Sequence, residues 1–534
     1  MLRPQVNVVC NEVMNLQLID KPEGITTHQS EPNDWGIVEF IAQQSGQTLY
    51  VTHRLDKETS GALLVAKDRD TAKNLTQLFE QKVVSKRYFF LTDRQIKQQV
   101  KLDHISHHSY IERDKQTYTS SNQKESNAFT DFSLLWNQGG ISLWEARPIT
   151  GKSHQIRLHA QDLGIPVLGD KEHGGTNWSR MCLHAQEINF VHEGTTQDFK
   201  SITPWWSEQK HAELIANSLP LQTNALIHLM NAYEKRQRLK IHNLPSFRFS
   251  HAETDEFSID IYNTVAWINW YKEENPTDQI LTTFESYFHT LNKSVFVRKM
   301  NNRGQDPNTN QFWSLGKIPD QWTTAENGLH YELRTNQGLS AGLFLDQRAN
   351  RAWVKENGAD LRVLNLYSYT CGFSVAATAG GAKEVCSVDT SAKFLDWGKR
   401  NFEINNLDVK KFEFWAQDCL LFLKGTAKRK RQFDLIIVDP PSFGRSKDQV
   451  FKIEKDWTQL LDLCNEVLAL QGKILFSTNY EKWEYKDFQE LMQSWAMKNK
   501  LSLQPNPIPG LDYELSSIHR LLKCVVLIKT GKHN

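Results

Sequence analysis

Two sets of residues in this 534-residue chain have types and spacing that could do chemistry. The first is His53–Gly61, HRLDKETSG, where Arg54 stands two residues before Asp56 and Thr-Ser-Gly follows. A solvated turn holding an Asp–Arg ion pair tolerates that string. So does a carboxylate held for catalysis beside a nucleic-acid backbone. The second set sits at the ends of apolar runs: Gly372 in LNLYSYTCGFS, Asp389 closing EVCSVD, Asp418 in FEFWAQDC and Asp439 opening DPPSF. An acidic residue at the end of a second strand accepts hydrogen bonds from both ribose hydroxyls, whereas a dinucleotide's phosphates require a richer G-x-G-x-x-G turn. The lone Gly372 therefore favours an adenosine without phosphates. A single strand-end aspartate is more often a cap or turn residue, but these landmarks fall in strand order.

Positioning such groups requires elements, and the pattern divides the chain into three regions: 1–205, 206–332 and 333–534. The first mixes short strand-like runs (LQLID, GALLVAK, RYFFLT, INFVH) with one expected helix, Asp70–Lys82, which implies an α+β domain on antiparallel sheet. Within it Ser106–Asn127 is polar and reads as a surface excursion. The second region opens with a helical connector. Its basic run Glu234–His242 reads as a solvated helix face, with an RNA phosphate contact as the alternative. FSIDIYNTVAWINWY then alternates like a strand pair and QILTTFESYFHTL has helical periodicity, giving a small α+β linker domain over Leu219–Glu332. The third region alternates five strands (VLNLYSY, EVCSVD, FEFWAQD, DLIIVDP, KILFST) with helices, the pattern of a doubly wound, Rossmann-like α/β sheet. In such sheets ligands bind outside the carboxyl ends of the strands.

Composition excludes little. Lys plus Arg is 63 and Asp plus Glu is 62, so any RNA surface must be a local patch. One such run, Lys424–Gln432, reads as a solvated loop. Seven scattered cysteines never spaced as C-x-x-C argue against a zinc site and a disulfide framework, and fit a reducing cytoplasm. No signal peptide and no membrane-length apolar run is read, and no DNA or membrane partner is expected.

HRLDKETSG resembles the H-R-L-D-x-x-T-S-G motif of the RluA-type pseudouridine synthases. LIDKPEGITTH (Leu18–His28), VVSKRYFFL (Val83–Leu91), RPITGKSHQIRLHAQDLGIPVLGD (Arg147–Asp170) and MCLHAQEINF extend the resemblance in order. It implies that Asp56 is the catalytic carboxylate, attacking the uridine or taking a proton from its ribose. Arg157 would pair with it from the HQIR strand. Tyr88 would pack on the flipped base, Arg54 would fill space near the displaced nucleotide, and Lys86 and His154 would meet the RNA. Rotating a base requires taking it out of the stack at roughly a few kcal/mol, part of which an aromatic ring recovers. No metal or organic cofactor is implied in this half. Lys152 and Ser153 replace the usual Arg and Thr, and KEHGG (Lys171–Gly175) stands where the family often has Tyr-Gly. An S4-type segment ahead of the domain is not expected, Met1–Asn15 being short.

The stretch from about Arg238 to Lys529, which takes in most of the second region and the third, resembles the RlmI and RlmK group of 23S ribosomal RNA methyltransferases. GLFLDQR (Gly342–Arg348), LNLYSYTCGFSVAA and DPPSFGRSK carry the likeness, and LPSFRFSHAETDEFSIDIY is similar to the stretch preceding their catalytic domain. The resemblance implies S-adenosylmethionine held by Phe344, Arg348, Tyr369, Thr370, Gly372, Asp389, Asp418 and Asp439. Asp418 would face the adenine amino group and Asp439 the transferred methyl. Carbon-5 of cytosine needs a cysteine thiolate, yet Ile474–Trp483 offers Ser477, Thr478 and Asn479. A nitrogen acceptor needs only positioning, and similarity to the guanine ring-nitrogen member points to position 7 of a guanine. The expectation is a bifunctional enzyme on structured RNA, 23S ribosomal RNA with transfer RNA as a second candidate. The alternatives are an active synthase whose second half only binds RNA or cofactor, and a non-enzymatic ribosome-assembly factor.

Overall fold

The computed structural model describes residues 8–11, 15–28, 36–96, 104–114, 117–178, 180–192, 194–219, 224–238, 241–251, 254–300, 311–335, 340–445, 450–504, 513 and 522–530. The chain divides after Arg238 into two compact units, 3–238 and 239–534. The helical connector thus joins the first unit. Its helices Ala212–Ser218 and Asn224–Arg238 bury Leu214, Ile215, Leu229 and Met230, and Arg236 of the basic run is buried instead of solvated. The expected linker domain joins the second unit because Tyr262, Val265, Trp267 and Phe296 share one core with Leu343, Val375 and Leu395.

In the first unit one sheet runs in the order Val8–Asn11, Leu16–Lys21, Ser60–Ala66, Leu183–His192, Ser85–Thr92, Ile141–Pro148, Ala128–Gln138, His104–Asp114, Thr117–Ser121. Every neighbouring pair is antiparallel except Ser60–Ala66 beside Leu183–His192. SGALLVA is buried along its whole length because both faces are covered, Leu64 against Leu75 and Phe190, Leu63 and Val65 against Ile37 and Ile41. The expected helix lies at Arg69–Glu80, capped by Asp68, whose carboxylate accepts from the Thr71 N–H at 2.8 Å.

Ser106–Asn127 is not an excursion: much of it lies in the last two strands of the sheet. Ile105, His107, Ser109 and Ile111 of His104–Asp114 turn inward while His104, Ser106, His108 and Glu112 face solvent, so an edge pair with one wet face reads as polar sequence. HQIR is not on a strand. It opens the helix Gln155–Asp162.

In the second unit a seven-stranded sheet runs Glu413–Ala416, Glu384–Asp389, Arg362–Leu366, Phe433–Val438, Leu468–Thr478, Lys523–Lys529, Leu501–Gln504. All five expected strands are present and parallel, and Lys523–Lys529 is antiparallel to both neighbours. Strand order reverses between Arg362–Leu366 and Phe433–Val438, which opens a crevice at their carboxyl ends. Helices Gly372–Ala379, Ala392–Glu403 and Ile453–Val467 match those expected, and Cys464 is buried on the last. The run Lys424–Gln432 is solvated as expected at Lys424, Lys428, Arg429 and Lys430, but its first half is the last turn of the helix Cys419–Lys428 and not a loop. The strand pair Phe257–Tyr262 and Val265–Trp270 and the helix Asp278–Thr290 belong to a separate five-stranded sheet layer. Among the described residues no helix is long and apolar enough to cross a membrane.

Candidate active sites

The Asp56 loop is held by the segment Leu18–His28. Lys21, fully buried, donates its ammonium to the carbonyls of Pro22 at 2.8 Å, Ile25 at 2.8 Å and Lys57 at 3.0 Å. Burial, offset in part by Glu23, Glu58 and Asp56, lowers its pKa to about 7. The Gly24 N–H also donates to the Lys57 carbonyl, at 2.9 Å. Thr27 Oγ1 donates to the Leu55 carbonyl at 2.9 Å and accepts from the Leu55 N–H at 3.1 Å. His53 Nε2 accepts from the Leu64 N–H at 2.9 Å, and burial pushes this ring down to about 3, so it stays neutral. Thr59 N–H closes the turn on the Asp56 carbonyl. Ser60 Oγ meets His184 Nδ1 at 2.9 Å and accepts from Arg180 at 3.1 Å. Gly61, at φ +113°, lies where a Cβ would sit 2.2 Å from the Ala185 carbonyl oxygen, so only glycine permits the strand its parallel neighbour. The HRLDKETSG string is thus anchored at Leu55, Thr59, Ser60 and Gly61, which are buried, while Arg54, Lys57 and Glu58 face solvent and Asp56 is half-buried.

Those two residues line a cleft of about 690 Å³ together with Lys86, Tyr88, His154 and Arg157. Arg54 is exposed and Asp56 half-buried. Tyr88 rises into the cleft from strand Ser85–Thr92, and its hydroxyl is pushed well up, first by burial and then by the Asp56 charge. Lys86 donates to the Thr150 carbonyl at 3.1 Å, and burial brings its pKa down to about 8. His154, at φ +55°, precedes the helix carrying Arg157.

The expected Arg157–Asp56 pair is not formed. Arg157 donates through Nε and Nη2 to the two oxygens of Asp170, both at 2.7 Å, and through Nη2 to Glu172 at 2.7 Å. The Arg157 and Asp170 side chains are 6% and 0% exposed. Asp170 is oriented for this role by the backbone N–H groups of Glu172 and His173, at 3.1 and 3.2 Å. A planar guanidinium matched by a pre-oriented carboxylate makes the stronger bidentate contact. Among the described residues, no hydrogen bond or ion pair engages the Asp56 carboxylate. Sequence reading missed Lys21 and Thr27 as supports of the loop, and Asp170 as Arg157's partner. A turn motif does not reveal which distant loop it clasps.

The second site gathers at the carboxyl ends of the second unit's parallel strands. The turn after Arg362–Leu366 is not made by Gly372, which is simply the first residue of its helix. Tyr367, Tyr369 and Cys371 make it, at φ +55°, +47° and +57°. Asp389 accepts the Tyr369 N–H on one oxygen and the Ser391 N–H on the other, both at 2.9 Å. Each oxygen keeps a second lone pair. Burial raises this carboxyl, and the backbone N–H groups of Ser391, Tyr369 and Thr390 oppose it. The Tyr369 ring, its hydroxyl pushed up to about 12 by burial, lies 4.6 Å from Phe394 and 5.4 Å from the exposed ring of Phe344. Thr370 Oγ1 donates to the Gly342 carbonyl at 2.6 Å, fastening the GLFLDQR loop to the turn. Gly342 itself, at φ +121°, leaves no room for a Cβ, which would lie 2.3 Å from Trp397.

Asp418 accepts from the Leu421 N–H at 3.1 Å as the cap of helix Cys419–Lys428, next to Gln417, whose N–H donates to the Asp389 carbonyl at 2.9 Å. Asp439 accepts from Ser477 Oγ at 2.8 Å, and Gln347 donates to the same Ser477 oxygen at 2.9 Å. Burial raises Asp439 to about 7 against the Ser477 bond. Arg348 points elsewhere: it donates to the Ser246 carbonyl at 3.0 Å. Arg351, which sequence reading passed over, reaches the Phe344 carbonyl at 2.8 Å and pairs with Glu326 at 2.7 and 2.8 Å. An exposed aromatic face, a carboxylate with free lone pairs and a second one at the crevice fit the adenosine and sulfonium of S-adenosylmethionine.

Comparison with known proteins agrees with both halves. Residues 15–162 match the family model described as RNA pseudouridylate synthase, and residues 253–489 that of S-adenosylmethionine-dependent methyltransferase. Ribosomal RNA large subunit methyltransferase K of Neisseria meningitidis serogroup B is 35% identical over 224 residues, 42% of this chain and 62% of the relative. A ribosomal RNA large subunit methyltransferase K/L of a Shewanella species is 39% identical over 188 residues, 35% of this chain and 26% of the relative. The chain therefore spans under two thirds of these relatives. A solved structure from Streptococcus mutans, 23% identical, superposes with a TM-score of 0.50 over 65% of this chain and 88% of that one, which shows the shared fold.

Proposed function

We propose that this chain, which joins a domain of the RNA pseudouridylate synthase family to one of the S-adenosylmethionine-dependent methyltransferase family, is a bifunctional RNA-modifying enzyme. One site converts uridine to pseudouridine in structured RNA. The other methylates a base of 23S ribosomal RNA, at the ring nitrogen 7 of a guanine. Both act in the cytoplasm.

The observation that carries the first activity is the placement of Asp56: a carboxylate on a rigid loop, opening into the same cleft as Tyr88. Asp56 is the catalytic group, attacking the everted uridine or taking a proton from its ribose. Tyr88 offers the face on which that base rests. Lys86 and Arg54 meet the flanking phosphates or the displaced nucleotide. Arg157 acts at one remove. Tied to Asp170, it is a positioning residue that sets the cleft wall and its potential, and no direct bond to Asp56 is required of it.

In the second site Asp389 would take the ribose hydroxyls, Phe344 and Tyr369 would flank the cofactor, and Asp418 would stand by the adenine. Bound S-adenosylmethionine supplies an electrophilic methyl. Nitrogen 7 of guanine attacks with its own lone pair, so the chain's task is alignment. Asp439, at the crevice and hydrogen-bonded to Ser477, then faces the positive charge that appears on the methylated base. Incubation of the full chain with unmodified ribosomal RNA and methyl-labelled S-adenosylmethionine, followed by nucleoside analysis, tests both activities. Pseudouridine and labelled 7-methylguanosine are expected. A labelled cytosine or adenine would overturn the acceptor, and absence of both products would overturn the function.

A further inference from the structure

At the rim of the synthase cleft three side chains converge without a part in the chemistry above. His154 Nδ1 lies 2.9 Å from His173 Nε2, and Glu172 Oε2 lies 3.6 Å from the first and 3.9 Å from the second. The two imidazoles come from segments nineteen residues apart, so spacing along the chain gives no sign of them. Ligands of a tetrahedral zinc, each about 2.0–2.1 Å from the metal, stand roughly 3.3 Å from one another. The three observed separations straddle that value, and shifts of a few tenths of an ångström bring all three atoms onto one ion.

The scaffold around them is fixed. His154 is held before its helix at φ +55° with its ring 4.8 Å from Tyr118. The backbone N–H groups of Glu172 and His173 are both anchored on Asp170. Arg157 donates to Glu172 Oε2 at 2.7 Å, but a carboxylate has lone pairs for both a guanidinium and a metal, and Arg157 keeps its two bonds to Asp170 in any case. The fourth position opens on a cavity of about 490 Å³ lined by Tyr118, Ser120 and Asp162. Two imidazoles and one carboxylate select zinc-like transition metals over magnesium or calcium, which prefer all-oxygen sites.

The geometry points to a transition-metal site, His154–Glu172–His173, through which zinc restrains the synthase. His154 lines both this cavity and the Asp56 cleft, while Glu172 and His173 lie outside the cleft lining. A metal there holds the His154 ring on the ion and so takes it out of the cleft that it lines. The restraint, unlike the metal site, rests on the proposed function of the cleft.

The test uses the full chain stripped with chelator, its metal binding read by Co²⁺ absorption and Zn²⁺ displacement, and its activity by pseudouridine formation on unmodified ribosomal RNA. One equivalent should bind with the visible bands of a tetrahedral N,O site. His173→Tyr should weaken zinc by about 100-fold and Glu172→Gln by about 10-fold, as expected for loss or weakening of one of three ligands. One equivalent of zinc should slow the wild type about tenfold, reversibly with chelator, and leave His173→Tyr at the zinc-free wild-type rate. Equal zinc affinity in wild type and both variants overturns the site. Unchanged wild-type activity on zinc binding overturns the restraint. A zinc-free wild type that makes no pseudouridine contradicts the reading of the cleft, and the Co²⁺ titration still decides the site.

Discussion

Arg157 and Asp439 show how a single side chain's surroundings decide its role. Arg157 and Asp170 form a pair buried from solvent, and removing one partner leaves the other as an uncompensated charge. Arg157→Met is therefore expected to destabilise the first unit by about 3–5 kcal/mol in urea unfolding, beyond any loss of activity. A variant as stable as wild type but inactive would return Arg157 to direct catalysis. Asp439 holds its proton below about 7 because burial raises its pKa. If the ionised form faces the methylated base, kcat/KM for methyl transfer climbs as pH rises through about 7 and levels above it. Asp439→Asn should flatten that profile, and an unchanged profile in the variant would assign the titration to another group.

Among the elements, the loop carrying Asp56 depends on a clasp from the segment Leu18–His28. Thr27→Val keeps the shape and removes one hydroxyl, leaving both the Leu55 N–H and its carbonyl unpaired in a buried place. The expected cost is about 2 kcal/mol of stability, with kcat for pseudouridine formation falling at little change in KM. A fall in affinity for RNA with kcat preserved would mean that the clasp does not set the carboxylate's position. The strands and helices around both sites were legible because their signals are local: SGALLVA is an unbroken apolar run, and the five parallel strands each end in a turn. What was not legible was long-range. Ser106–Asn127 pairs as an edge with a wet face, so its polarity masked its strands. Gly372 stood out as the flexible residue, yet Tyr367, Tyr369 and Cys371 take the left-handed backbone instead. Arg157 was paired with the carboxylate its motif suggested, while a chain segment thirteen residues on supplied a better-oriented one.

For the whole molecule, two compact units on one chain imply two sites that can fail separately. Covalent linkage raises the local concentration of one unit near RNA held by the other when both targets lie within reach. Asp389→Ala should abolish methyl transfer and leave pseudouridine formation within about twofold of wild type, since its contacts are all within the second unit. The measurement that bears most directly on the account is nucleoside analysis of ribosomal RNA treated with the Asp56→Asn chain and labelled S-adenosylmethionine. Pseudouridine is expected to fall by about 10³-fold or more while the methylated base is undiminished. Pseudouridine at the wild-type level would contradict it.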